Sequence, residues 1–559
     1  MARFSLPHAL SGVALAAAAT LLGAAATRAA PVPLPLSVPA AQYYHTHPDA
    51  YAHLLAKLSQ QSPGEAAHRV VAAASGTWTN VTKGPTGLCN PMLLHDATVI
   101  VHVCDASEWY KLTPSKTGSY SAGTWTQIAS LPVIGGTQYA PQYNASAVLP
   151  DGRVIVMGGE YDGGNSGVWT NLGAIYQPTT NTWTAEPAPT PAATWAEIGD
   201  AASTVLASGT YMLSSCCAYE PDADALLNAT TLKWKSTGAP NAGPAGDGAY
   251  QDEQGYELLP TSDVLTVDVW PTDATSAELY NPSTGKWTYT GSTPVSLVDP
   301  CGNYEIGPAV LRGDGTVVGF GANTGCDTPA DPTAVYTTST GKWIAGPDVP
   351  QICGSKGKSG CDLADAPAAL EPNGKILFAA SSGYGVKPTH FFEFSTTNTI
   401  AQVSDPLENA TKSGSYYYDF LMLPNGQVFM TDFSNTPEVY TPTGTALAAD
   451  APVITSVPTT LTPGTTYTVS GKQLNGVSQG AYYGDDWQMA TNYPIVAITN
   501  TKSGTVTYAP SSAYSTMTVK PNTAGTASFT IPSGTPTGAS TLTVVANGVA
   551  STPVSVTVN

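Results

Sequence analysis

Tyrosines and carboxylates recur at one offset along this chain. Tyr143 stands seven residues ahead of Pro150-Asp151-Gly152, and the same offset before later turns gives Asp200, Glu253, Glu305 (within one residue) and Asp365. Asp419 lies near the last turn, which Tyr416 and Tyr417 precede at Pro424 by eight and seven residues. Carboxylates that converge can hold a hard cation such as calcium, accept hydrogen bonds from sugar hydroxyls, or divide acid and base roles, and phenol rings beside them offer a stacking face. The bland alternative is a solvated polar rim, or a ring of carboxylates satisfied by backbone N–H groups.

The eight cysteines fall into neighbouring pairs: Cys89 with Cys104, Cys216 with Cys217, Cys301 with Cys326, and Cys353 with Cys361. Proximity selects that connectivity from about 105 alternatives. Cys89 and Cys104 are symmetric about Asp96-Ala97, so on an antiparallel hairpin they face each other at a disulfide distance. Cys216 and Cys217 either close a rigid, flat apolar ring on each other, against which a ligand could pack, or bond two separate partners. Four of the eight histidines, His45, His47, His53 and His68, cluster near the start. His45-Thr-His47 has a ligand-like spacing, but without a cysteine or carboxylate cluster these read as solvated linker residues.

The elements that must position these groups are repeats. The clearest runs from Tyr143 to Trp183: a lead-in strand, LPDGRVIVMGG (Leu149 to Gly159), a loop, and YQPTTNTW (Tyr176 to Trp183). Pro presets φ and Gly accepts positive φ, so Pro150-Asp151-Gly152 is a tight turn between two strands. The unit is four-stranded and antiparallel. Tryptophan returns in the fourth-strand position at Trp125, Trp183, Trp234, Trp287 and Trp343, with Ile400 in the same place, and hairpins recur near Asp96, Asp151, Gly209, Ser262, Asp314, Asn373 and Asn425. The seventh lacks a following tryptophan, and Gly76-Thr-Trp78-Thr-Asn-Val upstream supplies the pattern. The prediction is an all-β fold: a seven-bladed kelch-type propeller over 76–447, closed by the N-terminal strand, then an immunoglobulin-like sandwich over 451–559 rich in Thr, Ser, Val and Gly.

Residues 1–30 read as a secretory signal, with an apolar stretch from Ala9 to Thr27 behind Arg3 and cleavage between Ala26 and Ala29; an uncleaved anchor is the alternative. Residues 31–75 form a Pro-rich linker with one short helix over 49–58. Loss of Arg3 and Arg28 with the signal takes the formal charge from −19 to −21. A chain this acidic repels nucleic acid and anionic lipid, which excludes both as main partners. A secreted monomer stapled by disulfides is expected.

The LPDGRVIVMGG-type repeats, followed by Gly471-Lys-Gln-Leu-Asn, Ala481-Tyr-Tyr-Gly-Asp-Asp and Gly538-Ala-Ser-Thr-Leu-Thr-Val-Val-Ala-Asn-Gly, resemble the galactose oxidase and glyoxal oxidase group. These are copper radical oxidases built from a seven-bladed kelch propeller and a C-terminal early-set domain. The resemblance implies a copper held by two tyrosines and two histidines, one tyrosine cross-linked to cysteine. It places Tyr143 at the cross-linked tyrosine, Cys89 within one residue of the cysteine, and Tyr416 at the second tyrosine. Tyr417 stands where a histidine is expected, and Ala509 to Met517, the stretch expected to bring the other, contains none. Phenolates and water suit Cu(II) poorly, so copper is not expected, while calcium is compatible with the carboxylates. The favoured function is binding of a carbohydrate or cell-surface ligand at the channel mouth. The alternatives are an alcohol or aldehyde oxidase with an altered metal site, and a hydrolase or lyase using the channel carboxylates.

Overall fold

The computed structural model describes residues 76–559 apart from 165–166, 218–222, 239, 242–250, 270–275, 300–304, 323–330, 354–359, 384–385, 409, 411 and 484–488. The expected signal, the 31–75 linker with its helix and histidines, Cys301 and Cys326 lie outside the described residues. The rest is all-β. No α-helix occurs among the described residues, and none is long and apolar enough to cross a membrane.

Among the described residues seven antiparallel sheets succeed one another, six of four strands and one of five. In the second, Ala145–Val148 pairs with Val154–Met157, then Gly173–Gln177, then Thr182–Ala185. The turn between the first two strands needs Gly152, whose φ of 85° is left-handed. The other first strands are Leu88–Leu93, Ser203–Val205, Glu257–Leu258, Ala309–Leu311, Pro367–Leu370 and Asp419–Met422. In the last sheet the fourth strand is Thr77–Asn80, which pairs with Glu438–Thr441 and sets Trp78 opposite Tyr440. The first strands touch in cyclic order, with Asp419–Met422 against Leu88–Leu93. Every sheet therefore has a neighbour on both faces. Second strands such as Val154–Met157 are consequently buried throughout and continuously apolar, whereas fourth strands such as Thr182–Ala185 are largely exposed and polar.

The recurrent tryptophans fasten five of the sheets to the one before. Trp125, Trp183, Trp234 and Trp287 donate Nε1–H to the carbonyls of Thr82, Ala129, Pro187 and Gly238 at 2.7 to 3.0 Å, and Trp78 donates to Ser404 at 2.7 Å. Each acceptor lies just past the fourth strand of the preceding sheet. Such a bond contributes about 1 kcal/mol net, less than the about 3–5 kcal/mol lost when a buried aromatic is truncated. Indole packing therefore dominates, and the bond fixes its direction.

Beyond residue 452 two more sheets form. One orders Val453–Ser456, Thr466–Lys472, Ala524–Thr530 and Ser511–Ser512, and the other Thr460–Leu461, Val554–Val558, Gly538–Ala546, Ile495–Asn500 and Val506–Ala509. They share a core that includes Leu461, Val469, Val496, Ile498, Phe529 and Leu542. One strand between these sheets joins the other part of the molecule: Ala481–Tyr483 pairs with Pro367–Leu370 and extends that sheet to five strands. It also touches Ala309–Leu311 and Asp419–Met422. Gln479 beside it accepts from Leu258 N–H (3.0 Å) and the Tyr482 hydroxyl (2.9 Å), and donates to Thr204 Oγ1 (2.9 Å). The peptide thus meets first strands of five different sheets.

Candidate functional site

Tyr143 precedes its first strand with φ of 52°, and Glu253 (65°) and Asp365 (50°), at the same offset, share this left-handed conformation. Non-glycine residues pay on the order of 1–2 kcal/mol for it, so the surrounding structure must impose it. The hydrogen bonds do so: Glu160 N–H donates to Tyr143 O (2.9 Å), and Asp365 N–H donates to Ile306 O (3.2 Å). A small ladder pairing Tyr161 with Gln142 and Asp162 with Pro141 brings Tyr161 over Tyr143. Their rings meet edge to face at 5.4 Å, and Tyr483 stacks on Tyr143 at 6.1 Å and 14°. Tyr416 and Tyr417 lie against each other at 4.1 Å in a short 3₁₀ turn, Ser415–Tyr417.

Three phenols share one environment. Burial raises the Tyr143 hydroxyl well above its ordinary range, and the nearby Tyr416, Asp365 and Tyr161 raise it further against a hydrogen bond to Gln142. Burial also pushes half-buried Tyr161 up to about 12, with Glu160, Asp200, Glu253 and Asp365 adding to the effect. Tyr416 is raised by burial, then by Tyr417, Tyr161 and Asp365. These phenols stay protonated at neutral pH, so they can donate hydrogen bonds rather than act as anions.

The carboxylates converge beside them. Oxygens of Asp200, Asp252 and Glu253 lie within 4.8 Å of one another, as do those of Glu253, Glu305 and Asp365. Glu253 belongs to both sets, so five acids form one continuous group. Asp200, Asp252, Glu305 and Asp365 are buried and Glu253 is half-buried. Burial raises the Asp200 carboxyl, while a hydrogen bond with Asp252 opposes that shift.

Asp419 does not join them. It sits at the start of its strand, accepting from Thr431 Oγ1 at 3.2 Å, and burial raises its carboxyl well above the ordinary range. The offset that placed it near the site is broken by the 3₁₀ turn just upstream. Glu305 stands one residue before the strict register, as the sequence implies, and still reaches Glu253 and Asp365. Asp252, Tyr161, Trp169 and Tyr483 escaped the sequence reading. Asp252 carried a usable signal in the polar run Gln251-Asp-Glu-Gln254; Tyr483 lay in Ala481-Tyr-Tyr-Gly, which offered only a family likeness.

Cys89 and Cys104 are bonded, with Cα atoms 5.8 Å apart. They are not directly opposite, as hairpin symmetry suggests: a bulge between Cys89 and Pro91 shifts the register, so Cys89 faces His102 and the bond runs diagonally. Cys216 is bonded to Cys217 and Cys353 to Cys361. The copper centre implied by resemblance finds no matching donor set. The Cys89 sulfur is consumed by Cys104, and the described histidines are committed elsewhere. His95 bonds the Ser511 carbonyl (3.1 Å), His102 stacks on Trp109 and bonds the Ala106 carbonyl (2.8 Å), and His390 pairs with Asp405 (3.0 Å). Burial holds His95 and His102 down at about 4. The peptide that reaches the tyrosines carries Tyr483, not the Ala509 to Met517 stretch named by resemblance.

Comparison with known proteins gives the following. No protein-family model matches the chain, and no curated protein matches its sequence. Among solved structures, a fungal alcohol oxidase of the AA5 family in complex with copper is similar over 87% of this chain and 100% of that one, at 12% identity and a TM-score of 0.48. The GH74 xyloglucanase of Xanthomonas campestris is similar over 72% of this chain and 60% of that chain, at 12% identity and a TM-score of 0.45. A Trichoderma reesei carbohydrate-active enzyme of family AA12 is similar over 68% of this chain and 100% of that chain, at 12% identity and a TM-score of 0.34.

Proposed function

We propose that the chain is an exported seven-bladed kelch-type propeller with an immunoglobulin-like C-terminal domain, which binds carbohydrate at the mouth of its central channel without copper radical chemistry. One observation carries this: protonated phenols and five convergent carboxylates share a single partly buried site. Sugars present hydroxyls that donate to carboxylates and accept from phenols, and C–H faces that lie on aromatic rings. The excess of acids favours neutral or basic sugars and disfavours uronates.

Isothermal titration of the secreted chain with neutral hexasaccharides of glucose, mannose, xylose and galactose tests this, beside a peroxide assay with copper supplied. Saturable binding of at least one, with no peroxide, is the expected result. Copper-dependent peroxide from a primary alcohol would overturn it.

A second reading is favoured by the Glu253, Glu305 and Asp365 oxygens lying within 4.8 Å of one another. Retaining glycosidases place their two carboxyl groups about 5–5.5 Å apart, so hydrolysis with retention is the chemistry this set could support. Release of reducing ends from the bound hexasaccharide, abolished in Glu253→Gln, would distinguish it from binding alone.

A further inference from the structure

Beside the acids lies an apolar shelf. Gly199, at φ 65°, is packed so closely that a Cβ there would stand 2.5 Å from Cys216 Sγ and 2.8 Å from Trp169 Cδ1. The Trp169 indole and the Cys216 sulfur therefore both lie against the backbone of Gly199, the residue before Asp200. Trp169 and Cys217 are only half-buried, whereas Cys216 is fully buried. Both sides of the shelf are anchored: Trp169 N–H donates to Glu160 O (3.2 Å), Cys216 N–H to Ile198 O (3.1 Å), and Gln251 N–H to Cys216 O (3.0 Å). The last bond ties the disulfide to the chain carrying Asp252 and Glu253. Sulfur atoms of both cysteines lie within 4.8 Å of an Asp252 oxygen.

We infer that this shelf is a sugar subsite, in which the C–H face of a pyranose lies over Trp169 and the Cys217 side of the disulfide while its edge hydroxyls donate to Asp252 and Asp200. The inference deepens the carbohydrate reading and rests on it. The physical case is the pairing of an apolar surface with acceptors at its edge, which a pyranose matches because its C–H groups cluster on one face and its hydroxyls ring the perimeter. A disulfide is polarizable like the thioether of methionine, and it presents no donor that an apolar face would leave unsatisfied. Closing adjacent cysteines on each other also removes the rotamer freedom two thiols would keep, so the surface is pre-organised and little entropy is lost on binding. Gly199 is essential to this geometry, since any side chain would push the indole from the sulfurs.

The test uses the full secreted chain, the same neutral hexasaccharides and three variants: Trp169→Ala, Cys216→Ser with Cys217→Ser, and Gly199→Ala. Thermal melts and the far-ultraviolet spectrum check that each folds. Trp169→Ala changes a half-exposed side chain, so it keeps the test alive if the buried sites do not tolerate change. Trp169→Ala and the double serine variant should each weaken binding about tenfold, the scale of one lost stacking contact, and Trp169→Phe should recover most of the loss. Sugar should also shift tryptophan fluorescence in the parent and not in Trp169→Phe. Tight binding by the parent with unchanged affinity in folded Trp169→Ala would overturn the subsite and leave the mouth reading standing. Absence of binding by the parent to every hexasaccharide would overturn both.

Discussion

Two groups of buried acids in this molecule have different company. At the seam where the N-terminal strand completes the seventh sheet, Glu371 and Glu393 lie together with partners of matching chemistry. Lys375 pairs with Glu393, the Tyr440 hydroxyl donates to Glu393 Oε1 (2.7 Å) while accepting from Gly76 N–H (2.8 Å), and Asn373 donates to Glu371 Oε2 (2.7 Å). At the mouth, Asp200, Asp252, Glu253, Glu305 and Asp365 have one another and several raised phenols for neighbours. The seam acids are answered by a cation, an amide and a hydroxyl within the fold. The mouth acids crowd their oxygens within 4.8 Å of one another in two overlapping sets, and like charges held that close cost stability.

The contrast breaks most visibly at the seam. Trp78 is 6% exposed and packs edge-on against Phe391 at 5.3 Å and beside Tyr440 at 5.0 Å. Trp78→Ala should therefore destabilise the chain by about 3–5 kcal/mol, as truncation of a buried aromatic does, with a matching fall in the denaturant midpoint. Sugar affinity of the fraction that remains folded should be unchanged. A variant as stable as the parent would show that the N-terminal strand does not hold the cycle closed.

At the mouth the sign of the stability effect should reverse. Asp252→Asn takes an ionisable carboxyl out of the crowd and leaves an amide that can donate to Asp200. The expected outcome is a small gain in stability, together with sugar binding about tenfold weaker, the equivalent of one hydrogen bond. Loss of both stability and binding would place Asp252 among structural acids like those of the seam.

How much of this was legible in the sequence follows from what repeats. Hairpin turns and fourth-strand tryptophans recur with fixed chemistry, because each sheet solves the same packing problem against its neighbour, so the strands could be counted and the completion by Thr77–Asn80 foreseen. The register also named Tyr143, Asp200, Glu253, Glu305 and Asp365. It misplaced Asp419, because a 3₁₀ turn over Ser415–Tyr417 stands just upstream of it. Hairpin symmetry paired Cys89 with Cys104 but missed the bulge that makes the pairing diagonal. Tyr161, Trp169 and Tyr483 come from a loop and an added strand outside any repeat, and nothing in a periodic pattern predicts what a non-repeating segment brings to a shared site.

The smallest effect is a pH dependence belonging to the seam. Burial and the neighbouring Glu393 push the Glu371 carboxyl from 4.5 up to about 8, against the opposing pull of Asn373 and Lys375. The unfolded chain ionises this group near its ordinary value, whereas the folded chain holds its proton. Its contribution to stability is therefore fully present below about pH 4.5, declines as pH rises, and is lost once the pH passes about 8. Other buried acids slope the same way, among them Asp224, raised to about 7 by burial, so the parent curve alone does not isolate Glu371. The difference between the parent and Glu371→Gln does. The amide can still hydrogen-bond Glu393 and Asn373 without ionising, so the melting temperature of the variant should fall less than that of the parent between pH 5 and 8. Parallel curves would mean that Glu371 is already ionised in the folded chain, with Lys375 and Asn373 compensating its charge, and would sharpen the distinction between seam and mouth.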